Sequence, residues 1–160
     1  MAEAARFAEL TRQLSAFGAV KRDLGRVLPH DCPPGSTAVL ALLGQHGEMR
    51  MSRLAELLAV DMSVTSRHVA HLAERGLIDR SPDPADKRSR LLHLTPAGEA
   101  KLQEIFLSTT RLLSDRLRDW SDHDIDELIR LLARLRAGFG DCRSPRPPHA
   151  IQPIPVHPHH

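Results

Sequence analysis

The chain has 160 residues, the size of one compact domain or of one subunit in an intertwined assembly. Hydrophobic residues make up 41% and charged residues 26%, while aromatics are only 3%, with one Trp and no Tyr; this is globular composition that excludes aromatic-rich strand sandwiches and stacking platforms for single strands. Net charge is +2: Lys and Arg balance Asp and Glu at five and five over residues 1–49 and at nine and nine over 96–160, so the surplus, eight against six, lies in 50–95. No apolar run is long enough to span a membrane. Residues Met1 to Phe7 lack the apolar core of a secretion signal, and two cysteines, Cys32 and Cys142, make no disulfide framework. A cytoplasmic protein is expected.

The spacing of Phe7, Leu10, Leu14, Phe17, Leu24 and Leu28 predicts one helix from about Ala4 to Leu28, with an apolar seam that needs a partner along its length. Pro29 ends it, and Pro33, Pro34 and Gly35 form a stiff turn. Ser36 is expected to open a second helix that ends near Gly44 to Gly47. Met49 to Met51 is long enough for a single ladder pairing. Ser52 is expected to cap a short helix through Leu58, and Asp61, after a three-residue connection, to cap another that Gly76 terminates. Leu77–Ser81 and Arg90–Leu94 read as two strands joined by a long loop rich in Pro and Asp. Thr95 and Pro96 then start a helix to about Trp120, and Ser121 with Asp124 resembles a capping box for a last helix to about Phe139. From Asp141 onward, six of the twelve prolines and four of the ten histidines crowd together, which predicts a flexible Pro/His-rich tail.

Two short helices joined by a tight connection form a helix-turn-helix. On the second, Thr65, Val69 and Leu72 are expected to pack inward, leaving Ser63, Val64, Ser66, Arg67 and His71 for the major groove of double-stranded DNA. Small hydroxyls permit close approach, Val64 can meet a thymine methyl, and Arg67 can serve a phosphate or a guanine edge. The hairpin tip that follows, Asp83-Pro84-Ala85-Asp86-Lys87-Arg88-Ser89-Arg90, makes a basic wing. Lys87 is expected on phosphate and Arg88 in a minor groove, with Asp86 gripping the Arg88 guanidinium. An exposed helix face and an ordinary charged turn are the plain structural alternatives.

The segment from Leu54 to Gly98 resembles the winged helix of the MarR family of bacterial transcriptional regulators. The matching pieces are Leu54-Ala55, Ser63 to Leu72, Glu74-Arg75-Gly76-Leu77-Ile78 and Arg80. The most specific part is Asp86-Lys87-Arg88 feeding Leu94-Thr95-Pro96-Ala97-Gly98. The resemblance covers roughly residues 4–140 and implies a mainly α fold, a winged helix-turn-helix with a helical dimerisation domain formed by the N- and C-terminal helices. It implies a division into 1–35 (dimerisation helix and turn), 36–95 (DNA-binding domain), 96–140 (dimerisation helices) and 141–160 (tail). It further implies a homodimer that represses from a pseudo-palindromic operator. His68 stands where relatives carry an aliphatic residue, and is expected to be neutral and hydrogen-bonded.

Three effector classes stay open. A small aromatic or lipophilic acid needs a cleft with Arg or His nearby. A thiol sensor would use Cys32, whose neighbours His30 and Asp31 give a mixed electrostatic setting. A zinc sensor would draw on His30, Cys32 and His46. No cofactor is otherwise required. The motifs of hydrolases, metalloproteases and nucleotide-binding enzymes are missing, so no enzyme is expected; a helical protein-interaction module remains the alternative to a DNA binder.

Overall fold

The computed structural model describes residues 2–139; the expected tail, with Cys142 and its histidines, lies outside the described residues. The first predicted helix is two: α1 (Ala2–Ala16) and α2 (Gly18–Arg26). They meet at Phe17, whose amide donates to both Gln13 O (3.0 Å) and Leu14 O (3.2 Å), a tightened turn just before the poor helix former Gly18. Helix α3 (Pro34–His46) starts two residues earlier than Ser36, because Pro34 is preset for a first helical position and the Pro33 carbonyl already accepts from Thr37 N at 2.9 Å. Ser36 is buried inside the first turn instead.

Strand β1 (Met49–Arg50) leads directly into α4 (Met51–Leu58), where Arg50, not Ser52, occupies the N-cap position. Helix α5 (Met62–Glu74) follows after Ala59–Asp61, and Gly76 adopts φ +69 just beyond it, as a helix stop requires. Strands β2 (Ile78–Asp83) and β3 (Asp86–Leu94) are longer than the sequence predicts, and only Pro84 and Ala85 separate them, so the long loop is a tight one. The sheet runs β1-β3-β2, antiparallel, with Met49 opposite Leu92 and Ile78 opposite Leu94.

Helix α6 (Pro96–Arg116) opens as expected, with Thr95 Oγ1 accepting from Gly98 N at 3.1 Å. The same hydroxyl donates to Gly76 O at 2.5 Å, and Leu77 O sits where a Cβ on Gly98 would fall, so the start of α6 lies flush on the β2 entry. Helix α7 (Asp122–Gly138) has the full capping box at Ser121 and Asp124.

The core of the first unit joins Val39, Leu40 and Leu43 of α3 to Leu54, Val69, Leu72, Ile78, Leu92 and Ile105, all buried. It fixes α5 and the hairpin on one scaffold. The chain divides into two compact units between Asp119 and Trp120, so α7 belongs to the second. No described helix is long and apolar enough to cross a membrane.

Candidate nucleic-acid interface

Helix α5 owes its orientation to Thr65, Val69 and Leu72, each with no exposed surface. At steps of four and three these residues form one stripe, and burying them presents the opposite stripe to solvent. The buried Thr65 hydroxyl is satisfied by Asp61 O at 3.2 Å. Asp61 sits at the N-cap position, but its side chain makes no capping bond. Ser63, Ser66 and Arg67 are exposed as expected, and Val64 is half-buried beside them. His71 departs from expectation. It is half-buried, with Nε2 3.3 Å from the carbonyl oxygen of Asp31, so its ring faces the connection before α3 rather than a groove. His68 is also half-buried, Nδ1 3.5 Å from Ser36 Oγ, with its ring against Gly35.

Two aspartates shape the wing. The sequence predicts that Asp86 grips the Arg88 guanidinium; instead its Oδ1 accepts from the Arg88 backbone N at 3.0 Å and its Oδ2 from Ser89 Oγ at 3.1 Å. A carboxylate so close in sequence reaches the turn's own amide more readily than the end of a long side chain two residues on. The Arg88 side chain is thereby left free to extend. Asp83, a turn residue by its sequence, is buried and accepts from Ala85 N at 2.8 Å through Oδ1. Its Oδ2 accepts from Arg50 Nε at 2.6 Å, with Arg50 Nη2 at 2.5 Å. The Ala85 amide first, and then the Arg50 guanidinium, hold the Asp83 carboxyl below its ordinary value. The Asp-Pro pair at a turn was the available signal for Asp83; its partner, 33 residues away, had none.

Arg67, Lys87 and Arg88 are exposed, and among the described residues none of the three is in a salt bridge. Cations left without carboxylates on a helix face and a hairpin tip are what a polyanion can neutralise.

The residues considered for zinc do not converge. Cys32 is fully buried and its Sγ lies 3.4 Å from Thr37 Oγ1; His30 is exposed before α3, and His46 is that helix's last residue. At about 1.5 Å per residue, the length of α3 separates His46 from the other two by roughly 18 Å. Among the described residues no three His, Cys, Asp or Glu side chains are grouped to hold a metal.

Comparison with known proteins places this geometry. The MarR family model matches residues 33–89, which run from the start of α3 into the wing. A candidate transcriptional regulatory protein for the hcr operon of Thauera aromatica is 32% identical over 123 residues, covering 77% of this chain and 73% of that protein. The HTH-type transcriptional repressor MdtR of Bacillus subtilis is 26% identical over 102 residues, covering 64% of this chain and 66% of that protein. Among solved structures, apo wild-type MarR from E. coli superposes with a TM-score of 0.70 at 25% identity, covering 79% of this chain and 95% of that one. With its α5 and β2–β3 wing built as described, the chain belongs to the MarR family: it is a DNA-binding, winged-helix transcriptional regulator and not an enzyme.

Proposed function

We propose that the protein is a homodimeric, cytoplasmic repressor that reads a pseudo-palindromic operator and releases it when a small organic acid binds. Residues 36–95 form the DNA-binding domain, and 1–35 with 96–140 supply the dimer contacts. The observation that carries the reading is the set of exposed, unpaired cations: Arg67 on α5, Lys87 and Arg88 on the wing. In this reading Ser63, Val64, Ser66 and Arg67 meet the major groove, while Lys87 takes phosphate and Arg88 enters the adjacent minor groove. Asp86 supports Arg88 through its backbone amide.

Dimerisation is supported by large apolar side chains left in water by one chain, including Phe7 at 62% exposed, Ile129 at 60% and Phe139 at 83%. An acidic effector is supported by a cavity of about 500 Å³ beside α2, lined by Gly18, Lys21, Arg22, Gly25, Arg26 and Pro34. Arg26 is paired with Asp23 at 3.0 Å, whereas Lys21 and Arg22 have no carboxylate partner among the described residues.

The test is fluorescence anisotropy on a duplex selected by the protein from a random pool. Arg88→Ala is expected to weaken binding by about 1–3 kcal/mol, and to lower the slope of log affinity against log salt by about one for each subunit. Unchanged affinity and slope would remove Arg88 from the interface. Addition of benzoate is expected to lower affinity in the wild type and not in Lys21→Ala/Arg22→Ala; equal responses would sink the cavity as an effector site.

A further inference from the structure

The histidine that does not face the groove points to something else. His68 and His71 of α5 and Arg75 at its C-cap recur at steps of three and four and form a single stripe. His68 lies against the first turn of α3, and His71 and Arg75 face the connection between α2 and α3. His71 Nε2 approaches Asp31 O at 3.3 Å; a carbonyl can only accept, so this nitrogen carries the proton. The Arg75 guanidinium binds Asp31 Oδ2, and Lys101 Nζ of α6 stands 3.6 Å from the same oxygen. One residue of the connection thus meets the last turn of α5 at two points and α6 at a third.

The residue that does this is held still. Cys32 N donates to Pro29 O at 2.8 Å, the Cys32 side chain is fully buried, and Thr37 Oγ1 donates to Cys32 O at 3.2 Å. Pro33 and Pro34 follow. Asp31 is therefore presented from a turn anchored on both sides, and not from a loop free to follow its partners.

We propose that Asp31 is a positioning residue for DNA recognition: it holds the C-terminal turn of α5 against α6 and so fixes the angle at which Ser63, Ser66 and Arg67 meet a duplex. The proposal rests on the reading of α5 as the recognition helix. It does not ask Asp31 to stabilise the fold, since half-exposed ion pairs contribute little to stability. Base-edge hydrogen bonds tolerate displacements of only about 0.5 Å, so a small rotation of α5 costs specific binding and leaves phosphate attraction intact.

The sign of the effect separates positioning from charge. Removing a carboxylate raises the net positive charge, which by itself strengthens binding to any DNA. For Asp31→Ala we expect the opposite on specific DNA. Affinity for the duplex selected by the wild type should fall by about tenfold, while affinity for its scrambled version holds or rises, so the specificity ratio collapses. Asp31→Glu, which keeps the charge within reach of Arg75 and Lys101, should restore most of the ratio. Arg75→Ala should lower it, and the double variant Asp31→Ala/Arg75→Ala should be no worse than the weaker single one. Thermal melts of each variant track folding, and Asp31→Glu carries the test should Asp31→Ala melt early.

Parallel gains on both duplexes in Asp31→Ala would reduce Asp31 to a surface charge and overturn the proposal, as would additive losses in the double variant. A pool from which the wild type enriches no sequence overturns the recognition-helix reading, and the proposal with it. Enrichment followed by an unchanged ratio in Asp31→Ala overturns the proposal alone.

Discussion

Asp83 ties the wing tip to the strand that enters the helix-turn-helix. Its two oxygens serve different partners: one takes the Ala85 amide of the turn, the other the Arg50 guanidinium at the β1–α4 junction. Both contacts favour the carboxylate, and its pKa lies below the ordinary 3.8. A group whose folded pKa is depressed stabilises the native state above the unfolded value and loses that contribution as pH falls through the folded one. Asp83→Asn removes the ionisation altogether. The variant is expected to melt lower than the wild type at neutral pH, with the gap closing as pH drops from about 4 toward 2. Asp124 and Glu127 are also depressed, by Ser121 and by Arg130 respectively, but they titrate in both proteins and cancel in the comparison. Melting curves measured across that range check this; a gap constant down to the acid limit would mean that the Arg50–Asp83 contact does not carry the effect.

At the scale of the element, α4 ends on Ala59 with φ 54 and ψ 39, the left-handed conformation that a Cβ disfavours. Its amide still closes the helix onto Ala55 O and Glu56 O, so the tight connection to α5 imposes the geometry and the side chain bears the cost. Ala59→Gly is expected to raise stability by about 0.5–1 kcal/mol, the relief at the cap exceeding the entropy that glycine adds to the unfolded chain. A chemical denaturation midpoint that moves down instead would show that the unfolded-state term dominates. The elements legible in the sequence are those decided by neighbours: Thr95-Pro96, the Ser121–Asp124 box and Gly76 each act within one turn. Those misread depend on distant partners. The hairpin extends to Asp83 and Asp86, and Asp83 at its tip is held by Arg50, a partner 33 residues away that stands on β1 beside β3. His71 is half-buried near Asp31 O, a contact the local spacing does not signal: Thr65, Val69 and Leu72 define only the inner stripe of α5, and the chain before α3 meets the helix from a distance in sequence.

At the scale of the whole molecule, the proposed second copy decides how tightly DNA is held. In α7, Ile129 and Leu132 are exposed one turn apart, and α1 exposes Phe7, Leu10 and Leu14 at matching steps. In a two-fold interface each such residue is buried twice, so one substitution acts at two symmetric places. Ile129→Arg/Leu132→Arg is expected to convert a dimer to a monomer in sedimentation equilibrium while leaving the helical signal in circular dichroism largely intact, because neither side chain belongs to the buried core. Binding should weaken by roughly 100-fold or more, since linking two half-site contacts makes the second intramolecular and that gain disappears with the partner. The two added arginines would by themselves favour a polyanion, so a loss of affinity cannot be charged to electrostatics. The salt slope gives an independent reading: three DNA-facing cations in each of two subunits, each displacing about one counterion, predict a slope of about −5 for the dimer and about half that for the monomer. A variant that sediments as one chain yet keeps the affinity and slope of the wild type would show that each winged helix binds alone, and the two-fold operator would go with it.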